Sequence, residues 1–236
     1  MTLLLLLGVS LVAAIILAFV GDRRFAPEIN ILGSAATFLA GVALAIQVYM
    51  QGPIIAGGKF FFVDAFNVYL AVLTSFVSMT TAIFSRRYMR REREHGRVGH
   101  TGMRFYHAMF QLFIFAMLLA LLTNNVAVLW IAMELATLST VLLVSLYRTP
   151  AAVEAAWKYF ILCGVGIAQA LFGTVLLYFA AEKVLGEGGE ALLWTNLIRV
   201  SGQLEPTVLS LAFVFLMVGY GTKVGLVPLH NWLPDA

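Results

Sequence analysis

Long apolar runs separated by short polar segments recur along the whole chain, and no period-two alternation marks a half-buried strand. Seven of these runs approach the roughly twenty residues that a helix needs to cross about 30 Å of hydrocarbon. They are Leu3–Val20, Ile29–Met50, Ala65–Phe84, Tyr106–Leu122, Val126–Leu146, Ala151–Ala181 and Thr207–Leu229. Barrel strands alternate over about ten residues and do not fit such continuous runs. Lipid offers no partner to a free backbone N–H or C=O, which leaves helices. The pattern therefore predicts an all-α, polytopic transmembrane bundle of about seven spans. The first run lacks a basic leader and passes directly into Gly21-Asp22-Arg23-Arg24, so it reads as a retained helix and not a signal peptide.

Composition agrees. The chain is 61% hydrophobic and 11% charged, with a mean hydropathy of +0.94. Soluble domains are about 45–50% apolar and about 25% charged, so an integral membrane protein in contact with the lipid bilayer is expected. The one cysteine, Cys163, lies inside an apolar run, which excludes a disulfide framework and a cysteine metal site. The basic pI of about 9.1 comes from clustered arginines. Their placement reads as a topology signal, with no nucleic acid expected as a partner.

Arg23 and Arg24 follow span one; Arg86, Arg87, Arg90, Arg91, Arg93, Arg97 and Arg104 follow span three; Arg148 follows span five. The alternate connections hold only Lys59, Lys183 and Arg199, the last two among Glu182, Glu187, Glu190 and Glu205. The bias places the N-terminus outside and the arginine segments in the cytoplasm. The arginine segment is most simply a topology anchor, although anionic lipid or a soluble partner would also suit it. Two parts follow: residues 1–105, three spans with an Arg-rich cytoplasmic loop, and residues 106–236, which carry the candidate chemistry. Thr123-Asn124-Asn125 is a tight connection that makes spans four and five antiparallel neighbours.

Four residues stand out. Glu134 lies near the middle of span five, where a short carboxylate cannot reach water and must be protonated, paired or hydrated. A purely structural contact between helices, shared with Thr137, Ser139 and Thr140, is the plainer reading. Lys223 falls about fifteen residues into span seven, roughly 22 Å along a helix, past the midplane but inside the core. Gly219, Gly221 and Gly225 surround it, and Pro228 would strip the Val224 carbonyl of its helical donor, so a broken seventh helix is predicted. Freed carbonyls beside an ammonium are a way to build an ion site at membrane depth; snorkelling to the cytoplasmic face is the alternative. Lys158 follows Thr149 and Pro150, which suit a helix start, and stands four residues after Glu154. Surface pairing and a membrane relay are equally open for it. His230, just past Pro228 with Asp235 nearby, could pass protons between Lys223 and the cytoplasm or simply cap the helix end. His95, His100 and His107 match no metal spacing.

The Met133-Glu134 span, Ala156-Trp157-Lys158-Tyr159-Phe160 and the stretch from Lys223 to Leu233-Pro234-Asp235-Ala236 together resemble the antiporter-like membrane subunits. That family comprises proton-pumping subunits of respiratory complex I, subunits of multi-component sodium/proton antiporters and subunits of membrane-bound NiFe-hydrogenases. Met133 to Ala181 resembles component F of hydrogenase-4 and formate-hydrogenlyase complexes. The resemblance covers nearly the whole chain, and its lysine-to-Leu-Pro-Asp-Ala stretch is its most specific part.

The resemblance implies a prokaryotic plasma (inner) membrane location and a charge pair between Glu134 and Lys223. It places Lys158 in the same proton relay, and His230 is carried as a further candidate. It implies other membrane subunits as partners, and a peripheral hydrogenase or dehydrogenase arm that holds the NiFe centre, the iron-sulfur clusters and any flavin, with no cofactor in this chain. A sodium/proton antiporter subunit and a non-transporting scaffold for an oxidoreductase arm are the alternatives. The family fold has two inverted five-helix repeats. Because the sequence stops right after the signature, a fragment or a split gene is expected, with the second repeat absent.

Overall fold

The computed structural model describes residues 1–235; Ala236, the last residue of the signature, lies outside them. Eight α-helices and one small hairpin follow in the order α1 (Thr2–Val20), α2 (Ala26–Gln51), β1 (Ile54–Ala56), β2 (Phe61–Val63), α3 (Ala65–Glu94), α4 (His100–Leu122), α5 (Val126–Val144), α6 (Pro150–Leu185), α7 (Trp194–Val200) and α8 (Pro206–Val224). All but α7 are long and apolar enough to cross a membrane, matching the seven predicted spans. The chain is a multi-pass membrane protein.

The helix starts are set by side chains that accept the otherwise unpaired first N–H groups. Asp64 and Asn67 form a reciprocal capping box at α3. Asn125 caps α5, Thr149 caps α6 ahead of Pro150, and Glu205 caps α8 ahead of Pro206. Proline at the first helical position loses no hydrogen bond there.

Two ends of the predicted spans move. The arginine segment after span three, read as a loop from 85 to 105, is mostly helical: α3 continues to Glu94 and α4 begins at His100. Its arginines find acids and carbonyls. Arg86 and Arg90 reach Glu28 Oε1 at 2.5 and 2.7 Å, Arg93 donates to the Asp22 carbonyl, and Arg104 bonds Asp22 at 2.8 Å. Charge neutralisation and continued backbone pairing extend both helices past the apolar runs that sequence hydropathy measures. Arg104 holds the Asp22 carboxyl down at about 2, its hydrogen bond being the largest cause.

The interruption predicted in span seven falls at Gly225, four residues earlier than the span's predicted end at Leu229. Gly225 takes the left-handed conformation (φ 84°), with Leu226 N–H bonding the Gly221 carbonyl at 2.9 Å and Gly225 N–H the Thr222 carbonyl at 3.2 Å. That pair of bonds is the Schellman stop, available cheaply only to glycine. Glycine therefore ends this helix, and Pro228 lies outside it.

At the end opposite the arginines, Asn124 ties the connections together. Its N–H bonds the Phe60 carbonyl, its carbonyl accepts from Trp194 N–H, and its side chain reaches the Lys59 carbonyl and Thr195. Helices α1 to α4 share an aliphatic core around Leu6, Leu44, Leu118 and Leu122. Helices α6 and α8 pack differently, through small residues. A Cβ placed on Gly219 would stand 2.6 Å from the Ala170 nitrogen and from the Gly166 carbonyl oxygen, and one on Gly166 would stand 2.7 Å from Thr222 Cβ. Such backbone-to-backbone approach is the packing mode expected where lipid removes the hydrophobic drive between helices.

Candidate functional site

Lys223 is the penultimate residue of α8. Helical side chains lean toward the N-terminus, which here carries the ammonium back along the bundle toward α5 and α6. Nζ donates to Thr137 Oγ1 of α5 at 2.5 Å and to Tyr159 Oη of α6 at 2.7 Å. Tyr159 Oη also shares a 2.7 Å hydrogen bond with Thr140 Oγ1. Three helices thus meet on one cation, with two neutral oxygens as its ligands. The negative end of the α8 dipole adds to its stabilisation, as for any cation in a last turn.

Tyr159 and Thr137 are themselves fixed. Thr137 donates to the Met133 carbonyl and is fully buried, and Tyr159 is 5% exposed. The Tyr159 ring packs on Trp232, centroids 5.0 Å apart, and Trp232 Nε1 donates to the Thr222 carbonyl at 2.9 Å. The turn that follows α8 therefore folds back to clamp the tyrosine. Sequence reasoning placed Thr137 among structural contacts and passed over Tyr159 and Trp232. The i+3 step from Glu134 to Thr137 was a usable signal; the return of Trp232 was not, because it depends on the turn at Gly225.

Glu134 stands one helical turn from Thr137 on the same face of α5. Its Oε2 is buried with no hydrogen-bond partner among the described residues, and no ion pair within 4.0 Å joins it to Lys223. Lys223 is thus held by Thr137, one turn from the acid, and not by the acid itself. One turn further from Lys223, Trp130 Nε1 donates to the Ile167 carbonyl at 2.7 Å and fastens α5 to α6 beside the acid.

The other two candidates lie apart. Lys158, 47% exposed at its side chain, pairs with Glu154 at 2.8 Å and Asp235 at 3.0 Å. It sits in the third turn of the 36-residue α6, a helix of about 54 Å that outruns the hydrocarbon core. His230 is half-buried with Nδ1 unpartnered, and no hydrogen bond joins it to Lys223 among the described residues. Among those residues no His, Cys, Asp and Glu group is placed to hold a metal ion.

A bundle whose glycine-terminated last helix presents a lysine to a neighbouring span that carries a glutamate is the architecture of an antiporter-like membrane subunit. Residues 123–236 belong to the family described as NADH:quinone oxidoreductase/Mrp antiporter, transmembrane. The chain is 45% identical over 225 residues to the Hydrogenase-4 component F homolog of Methylacidiphilum infernorum, covering 95% of this chain and 46% of that protein. It is 30% identical over 240 residues to the NADH-quinone oxidoreductase subunit N of Paraburkholderia phymatum, covering 98% of this chain and 45% of that protein. It shares a fold with a chain of the membrane-bound sulfane sulfur reductase, an archaeal respiratory membrane complex, with a TM-score of 0.82 at 23% identity over 99% of this chain and 47% of that one. The chain thus spans about half the length of the curated relatives it matches.

Proposed function

We propose that this chain is part of the proton-translocating membrane subunit of a membrane-bound NiFe-hydrogenase of the hydrogenase-4 or formate-hydrogenlyase type, in a prokaryotic plasma membrane with its N-terminus outside. Other membrane subunits and a peripheral arm are its partners in this reading, and the arm carries the NiFe centre and iron-sulfur clusters. The similarity to a Hydrogenase-4 component F homolog supports the choice of complex. The observation that carries the mechanism is the Lys223 ammonium, held by neutral Thr137 and Tyr159 hydroxyls one turn from an acid with a free buried oxygen.

Held only by hydroxyls, the ammonium has a low-cost alternative position nearer Glu134. An ammonium beside a carboxylate favours its charged form, and withdrawal favours the protonated form. Movement of Lys223 between the Thr137–Tyr159 cradle and Glu134 would therefore make the acid release and take up one proton. Proton exchange with the cytoplasm would run through the cluster of Lys158, Glu154 and Asp235 and through His230. A conformational change driven from the redox arm supplies the bias, since a resting pair shifts nothing by itself.

The test is Glu134→Gln in the complete complex. Glutamine keeps volume and hydrogen bonding but cannot titrate. Hydrogen evolution with an artificial donor is expected to persist while proton pumping into inverted vesicles falls by a large factor. Unchanged vesicle acidification would overturn the relay, and pumping that demands sodium would move the assignment to sodium/proton exchange.

A further inference from the structure

A second line of buried polar groups runs through α2, α3 and α4, away from Lys223 and Glu134. Gln111 Nε2 on α4 donates to Asn30 Oδ1 at 2.7 Å, to the Asn30 carbonyl at 3.1 Å and to Ser34 Oγ at 2.8 Å. Ser34 Oγ in turn accepts from Ser78 Oγ of α3 at 3.3 Å. His107, one turn before Gln111 on the same face, is 1% exposed, and neither of its ring nitrogens has a partner among the described residues. Gln111 Oε1 and Asn30 Nδ2 are likewise buried and unpartnered.

The same holds toward the arginine-bearing end. Glu28 Oε2 and Arg86 Nε are buried without partners, although Glu28 Oε1 pairs with Arg86 and Arg90. Glu28 precedes Asn30 by two residues, and Arg86 lies two turns beyond Ser78, so the line of unpartnered groups continues along α2 and α3 toward this end. Orphaned buried polar atoms are rare in native proteins, and several within one stretch of a bundle interior call for a shared partner. Left dry, each would lose its hydration with no hydrogen bond in return. Buried water, which takes about three hydrogen bonds per molecule from such groups, meets the requirement.

A route in is present. An open cleft of about 590 Å³ lies at this end, lined by Arg23, Arg24, Pro27, Arg90, Arg93 and Met103 among others. Pro27 adjoins Glu28, and Met103 lies one turn before His107 on α4. Two residues of the cleft's lining therefore adjoin the unpartnered groups along α2 and α4.

We propose that the interior of α1–α4 beneath this cleft is a small hydrated pocket in which His107 binds and releases a proton, distinct from the Glu134–Lys223 site. The charged and titratable groups around it are Glu28 on α2, Arg86 and Arg90 on α3, and Tyr106 and Arg104 beside it on α4; α1 contributes none. The pocket would place a proton-exchanging group in the half of the bundle that the Lys223 mechanism does not use.

The test is deuterium exchange at the imidazole C2 position, read by peptide mass spectrometry on the complete complex in nanodiscs. Exposed His95 and His100 are internal standards in the same molecule. His107 is expected to exchange on the timescale of those two. Its rate should rise sigmoidally with pH, by about tenfold across about two pH units around the midpoint, as the neutral fraction of a one-proton group does. Absence of exchange while both standards run to completion, or a pH-independent rate, would overturn the proposal. Met103→Phe is expected to slow His107 exchange several-fold and leave His95 and His100 unchanged. An unaltered His107 rate in that variant would refute the cleft as the route, and the unsubstituted complex tests the pocket even if the variant does not assemble.

Discussion

The four-helix half (α1–α4) and the unit of α5, α6 and α8 cross the same bilayer but are built on different packing rules. In the first, large aliphatics such as Leu6, Leu17, Leu44 and Leu118 are fully or almost fully buried, and the buried polar groups gather in a separate line around Asn30, His107 and Gln111. In the second, Gly173 and Gly219 bring backbones into contact, and a lysine is held by a threonine one turn from an acid without pairing with that acid. Where aliphatic side chains interlock, as around Leu6, Leu44 and Leu118, the packing has one arrangement. Closely stacked backbones around a long, flexible lysine leave the side chain as the movable part, which suits a switch.

That contrast can be broken by substitution, beginning where the largest loss is expected. Trp232→Ala removes the clamp on Tyr159 and should cost about 3–5 kcal/mol, as buried Trp truncations do, read as a lowered unfolding midpoint in detergent. Gly219→Ala should cost about 1–3 kcal/mol through overpacking against the Ala170 and Gly166 backbone. Gly8→Ala, with nothing within 4 Å of the added carbon, should be neutral or stabilising by up to about 1 kcal/mol. Equal costs at Gly8 and Gly219 would erase the difference in packing rule. Ser78→Ala, which removes one neutral 3.3 Å hydrogen bond from the first half, should cost about 0.5–1.5 kcal/mol.

The smallest effect is a pH dependence at the arginine end. Arg104 depresses the Asp22 carboxyl to about 2, so the pair's contribution is complete above the usual carboxylate range and is lost as pH falls toward 2. Asp22→Asn should flatten that acid limb of the unfolding curve and lower neutral stability by the same small amount, because a pair with a half-exposed arginine is largely screened. An unaltered acid limb in the variant would assign the loss to other carboxyls.

Hydropathy revealed the seven spans because each helix must present about twenty apolar residues to lipid, and it singled out Glu134 and Lys223 because charge at that depth is conspicuous. It misjudged the ends of α3 and α4, where Arg86, Arg90 and Arg104 continue the helices by pairing with Glu28 and Asp22. It credited Pro228 with an interruption that Gly225 makes, since proline and left-handed glycine leave similar traces in a sequence. The cradle was hidden for a different reason. Tyr159 and Trp232 come together only once α8 has stopped and its following turn has folded back, a long-range consequence that no local period carries. Lys158 was legible as a charge, but its partner Asp235 is 77 residues away.

The central claim is that Glu134 and Lys223 act as one unit, although no direct ion pair joins them. A double-mutant cycle on proton pumping in the complete complex tests it, using Glu134→Gln, Lys223→Met and the pair together, each normalised to hydrogen evolution. Residues that act as a unit are strongly non-additive. The account predicts that the double variant pumps no worse than the more severe single variant. Losses that multiply, each substitution reducing pumping by its own factor regardless of the other, would contradict it.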